Sequence, residues 1–494
     1  MPSSDASHTP VLVGIGTAGR REEDFERALE PMDLMFEAVR AAGADCGSAM
    51  STKVLAGAQY IAVPRGRWTY SNPAGEIARA IGAPNATTVL TSVGVLQQTL
   101  IGEACARIAR GEAHTSLIAG ADAGYRLLRA QIAGREASER VQTDAPDIYI
   151  APKEELRHPA EKAARLNMPV GLYAIMESAF RARMGWSVHD HRDRLATLGA
   201  RFSQVAAANP HAWQRKVIDA TSIREATDRN PMQAFPYTRL HCSSWNVDQA
   251  AALLFCSAAR ADQLGIPRSR WIYPVASTES NHMVPVSARA DLAECPGARI
   301  AGQAALAAAG LAAADIDLIE LYSCFPIAVQ SYAAELGLPL TGDLTITGSM
   351  AFAGGPYNNY VFQSTCRAAE LLREGKGRNA LVSCVSGILT KQAFGVWSVD
   401  PAPNGFVHAD LTDSVSREVR TVEVVEAYSG EATIAGYTAI HGRGKQPRGV
   451  ALVDTPQGQR AIATTEDAVL VQRLQQDEEW VGRTVRVDQN QWLP

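Results

Sequence analysis

Three side chains that can carry or release a proton lie where apolar, strand-like runs end. Tyr322 and Cys324 close "DIDLIELYSC", and Cys384 sits in "SCVSG" after "NALV". In an α/β sheet such ends face the crevice at the carboxyl edge of the strands, where a thiolate can attack a carbonyl and a phenol can act as acid or base. The other reading of Cys384 is an inert buried thiol, because free cysteine is among the most buried residue types. Tyr322 and Cys324, two positions apart on one strand, are expected to project to the same side. His282, in the polar loop "STESNHMVPVS" after "WIYPVAST", should reach the rim of the same site, as a base or as a hydrogen-bonded loop histidine. Thr91 and Ser92, in "TSVGVLQQ", are alcohols. A helix dipole worth about 0.3–1 kcal/mol cannot bring them to thiol-like acidity, so they are expected to cap a helix and bond a carbonyl.

The stretch "ITGSMAFAGGPYNNYVFQ" from Ile346 to Gln363 is rich in glycine and has no basic residue, which excludes a phosphate-binding P-loop. His189 and His191 in "SVHDHRDRL" have two-residue spacing that makes them face apart on a helix, so they are read as a solvated face and no metal is expected. The eight cysteines include no Cys-x-x-Cys pair and read as free thiols. Net charge is -5, with Lys and Arg interleaved among acids, so neither nucleic acid nor an anionic membrane is expected as partner. No apolar run reaches the roughly 18 residues of a membrane helix, and "MPSSDASHTP" lacks the blocks of an export signal; a cytoplasmic location is expected.

Strand and helix patterns alternate, as in an α/β sheet. Two segment pairs repeat: "GEACARIARGEAHTSLIAGADAG" matches "STCRAAELLREGKGRNALVSCVSG" in form, and "DLMFEAVRAAGADCGSAMSTKVLAGA" matches "AGQAALAAAGLAAADIDLIELYSC". Two duplicated halves follow, spanning 1–268 and 269–420. The charged, helical stretch 125–236 reads as an insertion of the first half that covers a site; its Tyr173, Phe180 and Trp186 would either line a bulky or aromatic substrate or pack. The segment 421–494 has short β-rich runs broken by Gly, Pro and Asp, expected to form a small β domain of barrel or OB-like type with Gly442 to Lys445 as a hairpin turn.

In order and spacing, "TSVGVLQQ", "SSWNVDQAAALL", "ELYSCFPIAVQSYAAELGL", "GSMAFAGGPYNN" and "SCVSGILTKQAFG" resemble the thiolase superfamily. Within it the chain looks like the sterol-carrier-type, thiolase-like proteins with an additional C-terminal β domain. The resemblance implies a duplicated, layered αβαβα fold with two mixed sheets, plus that domain. It places the turn of the nucleophilic cysteine at Thr91-Ser92-Val93-Gly94 and the Gly-His-Pro loop at Gly354-Gly355-Pro356, so both the nucleophile and the histidine are replaced. Cys384 corresponds to the acid/base thiol, and Tyr322-Ser323-Cys324-Phe325 to the loop that holds the oxyanion. With the histidine gone, His282 is the substitute base by elimination.

Implied catalytic positions are therefore Tyr322, Cys384, Cys324 and His282. Implied substrate-binding positions are Thr91, Ser92, Gly94, Gly354, Gly355, Asn358 and Gly387. The implied activity is acyl transfer on acyl-CoA, making or cleaving a carbon–carbon bond beside a thioester or β-keto carbonyl, in lipid or aromatic side-chain catabolism. Coenzyme A would be the substrate carrier, with no bound cofactor. Two alternatives stay open: a retro-aldol lyase of the superfamily, and a non-catalytic acyl-CoA-binding protein. A homodimer is expected, with a monomer as the alternative.

Overall fold

The computed structural model describes residues 7–442 and 444–493. The opening residues 1–6 and Arg443, within the expected hairpin turn, lie outside it. The first half contributes β1 (Pro10–Gly19), β2 (Tyr60–Pro64), β3 (Thr87–Thr91), β4 (Thr115–Ala123) and β5 (Ile148–Ile150). The insertion adds β6 (Met232–Ala234) and β7 (Tyr237–Thr238) before the chain returns through β8 (Asp248–Ser257). The first sheet has the order β1-β8-β4-β2-β3-β5. Its central strands β4 and β8 are buried along their whole length, which is why they read as nearly continuous small and apolar runs.

The second half contributes β9 (Tyr273–Ser280), β10 (Leu318–Glu320), β11 (Asn379–Ser386), β12 (Lys391–Ser398) and β13 (Val407–Asp410), ordered β10-β11-β12-β9-β13. The duplication is visible in the pairing. β2 runs parallel to β4, β4 antiparallel to β8 and β8 antiparallel to β1; β10, β11, β12 and β9 repeat those three relations in that order. The helices Gln97–Ala109 and Tyr360–Arg373, the counterparts in the repeat, share one apolar layer between the sheets. Leu100, Ile108, Val361 and Leu372 there meet Val89 and Leu253 of the first sheet and Val382 and Ala393 of the second. Each such buried aliphatic side chain contributes about 1.5–3 kcal/mol. Helices Pro31–Asp45 and Pro73–Ile81 cover the outer face of the first sheet, and Pro296–Ala309 and Pro326–Leu336 that of the second. All four open with proline in the first turn, where its missing N–H is not needed.

The remaining strands are β14 (Gly430–Gly442), β15 (Lys445–Asp454), β16 (Arg460–Thr465), β17 (Thr484–Asp488) and β18 (Gln491–Trp492). They close into a five-stranded barrel, because β14 pairs with both β15 and β17. Trp480 and Trp492 meet edge to face in its core, 5.6 Å apart. β6 continues the sheet from β14, so the insertion and the barrel share hydrogen bonds. Insertion helix Pro169–Arg183 packs on the same strand: Tyr437 N–H donates to Ser178 Oγ at 2.8 Å, and buried Arg181 pairs with Glu479 at 2.6 Å.

Asp248, buried at the start of β8, accepts the N–H groups of Tyr125 and Arg126 and so holds the helix Gly124–Ile132 against the first sheet. Burial raises its carboxyl to about 6, against the lowering effect of those two N–H groups. A raised carboxyl favours the protonated folded state. Its contribution is therefore full below the ordinary aspartate range and is lost as pH rises through about 6. Urea unfolding from about pH 4 to about pH 7 should show wild-type stability falling by about 2–3 kcal/mol more than that of Asp248→Asn, whose amide oxygen keeps both bonds. Parallel pH profiles for the two proteins would contradict this.

Candidate functional site

The parallel pairing of β10 with β11 brings Tyr322 to Cys384. β10 ends at Glu320 opposite Val382; two residues on, Tyr322 N–H donates to Ser383 Oγ at 2.8 Å. From the other half, helix Gln97–Ala109 aims its N-terminus at the same point. The backbone N–H groups of Gln97 and Gln98 at that helix end lower the pKa of the Cys384 thiol. The Gln97 side chain accepts Val361 N–H at 2.8 Å and lowers the pKa of the Tyr322 phenol, against the effect of burial. The repeat has a mirror of this contact. Helix Tyr360–Arg373 opens at Asn359, and β4 presents Gly120 to it; a Cβ there would lie 2.5 Å from Asn359 Oδ1.

N–H groups at a helix terminus favour thiolate, but burial outweighs them here and pushes the Cys384 thiol up to about 12. Burial also raises the Tyr322 phenol, and the adjacent Cys324 and Cys384 thiols add to the rise. At neutral pH the site thus presents two neutral acids side by side. Cys324 belongs to a neighbouring contact with Tyr173 of the insertion, which lowers its pKa, while burial outweighs this and pushes its thiol up to about 12. The strand expected to run on to Cys324 stops at Glu320, because the chain turns there into helix Pro326–Leu336.

The glycine loop is held from both sides. The buried Glu320 carboxylate accepts five donors: Thr345 Oγ1, Ile346 N–H, Thr347 N–H, Thr347 Oγ1 and the Tyr360 hydroxyl. Farther along, Gly355 N–H donates to Ser244 O at 2.9 Å. Asn358, with φ 57°, donates to Arg65 O at 3.1 Å. Arg65 N–H in turn donates to Thr91 O at 2.8 Å, linking the loop to the first sheet.

Several expectations are corrected by these positions. Thr91 does not cap the helix: it is the fully buried last residue of β3, its hydroxyl has no partner, and the helix begins only at Gln97, with Leu96 at its cap. Ser92 spends its N–H on Ile150 O of β5. The carbonyl of Gly94 faces Lys391 Nζ at 3.4 Å. His282 shares no hydrogen bond with Tyr322 or Cys384. It lines a separate cleft with Arg289, Cys295 and Thr390, and burial lowers its pKa. Tyr173 stacks on Phe325 at 4.4 Å, while Phe180 and Trp186 meet edge to face, so these rings pack. Of the two histidines read as solvated, His189 is exposed but His191 is buried, bonded to Glu177 at 2.7 Å and stacked on Trp186. Among the described residues no group of three or more His, Cys, Asp or Glu is placed to hold a metal ion. Neither is any helix long and apolar enough to cross a membrane.

Sequence reasoning missed Gln97, Lys391 and Arg289. The Gln-Gln pair at a helix start and a lysine opening the apolar strand "KQAFGVW" were the available signals. Nothing in the sequence marked Arg289, whose buried guanidinium donates to Ile388 O at 2.6 Å and to Val284 O. It fastens the turn Gly387-Ile388-Leu389, in which all three residues have positive φ.

Residues 410–491 match the model of the thiolase-like protein type 1 additional C-terminal domain, and residues 278–349 the thiolase C-terminal domain-like model. The fold is similar to the crystal structure of a monomeric SCP2-thiolase-like protein type 1 from Mycobacterium smegmatis: TM-score 0.82, 28% identity, 99% of each chain covered. The chain thus carries a thiolase-like C-terminal domain and the additional C-terminal domain of type 1 thiolase-like proteins, on a thiolase fold. An acetyl-CoA acetyltransferase of Methanocaldococcus jannaschii is 26% identical over 173 residues, covering 35% of this chain and 41% of that protein, so the match spans under half of the relative's length. An Ltp2-ChsH2(DUF35) aldolase shares the fold at 18% identity and TM-score 0.59, covering 80% of this chain and 98% of that one.

In this thiolase-like fold the position that the resemblance assigns to the histidine is closed to a side chain. A Cβ on Gly355 would lie 2.0 Å from Ser243 Oγ and 3.1 Å from Met350 Cε. Gly355→His should therefore cost about 1–3 kcal/mol through overpacking. Adding Ser243→Gly should recover most of that loss in thermal unfolding. Equal melting temperatures for wild type and Gly355→His would show that the loop yields freely.

Proposed function

We propose that this chain binds an acyl-CoA thioester and makes or breaks the carbon–carbon bond next to its carbonyl through an enolate, with Tyr322 and Cys384 as neutral proton donors. The observation that supports this most is the pair itself, buried and aimed together by elements of both halves. An enolate needs hydrogen-bond donors at its oxygen and a proton for its carbon, and a neutral phenol and thiol can supply both. A nucleophile needs a thiolate, which burial disfavours at Cys384.

Cleavage of a β-hydroxyacyl thioester suits these groups: the β-hydroxyl proton passes to water as the carbon–carbon bond breaks, a phenol or thiol returns a proton to the enolate carbon, and the departing fragment is a neutral carbonyl compound, so nothing must capture an acyl group. Acyl transfer is the second reading, and the two helix N–H groups that lower the Cys384 pKa favour it, because they would stabilise any thiolate that forms. The self-supplied strand β5 lies on the edge that β3 would otherwise offer to a second copy, which favours the monomer alternative.

The test combines binding, turnover and mass. Acyl-CoA esters titrated calorimetrically should bind, and β-hydroxyacyl-CoA should be cleaved with no covalent adduct on the intact protein. Tyr322→Phe should lower kcat by about 10²–10⁴-fold while leaving the melting temperature near that of wild type. An acyl adduct that disappears in Cys384→Ser would establish the transfer route instead. Saturable binding without products from any acyl-CoA would leave a binding protein.

A further inference from the structure

Lys391 opens β12, opposite Ser386 of β11 and two positions before Ala393, the partner of Cys384. It is only 4% exposed, yet its ammonium is nearly unused. Of its three N–H donors, one makes a long bond to Gly94 O at 3.4 Å; the nearest carboxylate, that of Glu154, lies 3.9 Å away and is itself about half exposed. A buried amino group normally spends its donors on close acceptors, because an unpaired buried charge is costly. Here the two contacts are long, leaving the ammonium capacity for a closer acceptor, beside the turn that the superfamily resemblance assigns to the nucleophile.

The chain accepts strain to bring the lysine there. Gly387, Ile388 and Leu389 have φ values of 67°, 56° and 59°, and Arg289 clamps the carbonyl of Ile388. For a branched residue such as Ile388 this conformation costs roughly 1–2 kcal/mol. Met283 Sδ and Thr390 Cγ2 close in on Gly387, so the turn has one packed arrangement, and that arrangement directs the following lysine toward Gly94. Burial lowers the pKa of Lys391, with Glu154 and Glu279 acting against it, and His282 also faces Glu154. Glu279 is committed to Thr99 and Asn281.

We infer that Lys391 is a catalytic residue whose N–H donors receive the thioester oxygen of an acyl-CoA substrate and hold it as the enolate forms. The assignment rests on the acyl-CoA reading above and extends it by naming the cationic group at the oxyanion. Removal of the Cα proton leaves negative charge on that oxygen, and a cation in a water-poor setting stabilises it far more than the neutral thioester. Lys391 would thereby supply the charge that the missing histidine does not.

A β-ketoacyl thioester reports this directly, since its enolate absorbs in the near ultraviolet and its Cα proton leaves to water without turnover. Acetoacetyl-CoA bound to the full chain should ionise at a pH at least about one unit below that of the free compound. Lys391→Met should bind it within a few-fold of wild type and lose the shift, and Lys391→Arg should keep part of it. Binding with an unchanged shift in Lys391→Met, or with no shift in wild type, overturns the role of Lys391 while leaving the acyl-CoA reading intact. Failure of wild type to bind acetoacetyl-CoA or any other acyl-CoA overturns that reading and this one together. Should Lys391→Met unfold, the shift in Lys391→Gln and Lys391→Arg decides, with circular dichroism confirming their fold.

Discussion

The Glu320 carboxylate is the contact on which the site's shape depends. It is fully buried, and burial raises its pKa; five donors from the loop 345–347 and Tyr360 offset that cost. A carboxylate in such a place is tolerated only with all of its lone pairs engaged. Its position is fixed by β10, and Tyr322 follows two residues later, so the Tyr322 phenol, the start of the glycine loop and the start of a central helix are referred to one charged group. Thr345 Oγ1, itself a donor to Glu320, accepts Gly348 and Ser349 N–H, carrying the order one step farther into the loop.

Around that anchor the two halves are complementary where they are not identical. Each sends a helix N-terminus to the other's strand end, but one strand end carries a thiol and the other a glycine. A duplicated fold makes the geometry twice and needs the chemistry once. The barrel enters through the insertion: helix Pro169–Arg183 is gripped by β14, and the same helix supplies Tyr173 to Cys324. The added domain therefore bears on the wall of the site through a helix that it packs against, with none of the site's acids on its own strands.

The duplication, the layered sheets and the barrel were legible because each rests on local periodicity: two matched helix-strand segments, continuous apolar strands, and short β runs between turns. Tyr322 and Cys384 were legible from their strand-end positions. What failed was tertiary. Thr91 looked like a capping residue because a helix follows it, yet five residues of loop intervene and Leu96 takes the cap. His282 looked available because its loop is polar, and only the packing of Thr390 and Arg289 shows which cleft the loop lines. Lys391 and Arg289 act through partners about 300 and 100 residues away in sequence, beyond any spacing rule.

If Thr91 and Gly355 stand where the resemblance puts a nucleophile and a histidine, the remaining residues have a different task. A cysteine activated by a histidine works as a unit, and removing both eliminates the ion pair that would keep a thiolate in this interior. The thiols and the phenol that remain are driven neutral by burial, and at Tyr322 the neighbouring Cys324 and Cys384 add to that effect. Such a cluster is unsuited to attack and suited to donation. Negative charge arriving on a substrate oxygen would meet neutral donors, beside a lysine whose own contacts are long. The same burial that disfavours a thiolate at this site would strengthen electrostatic stabilisation of an enolate there, because both effects follow from the exclusion of water.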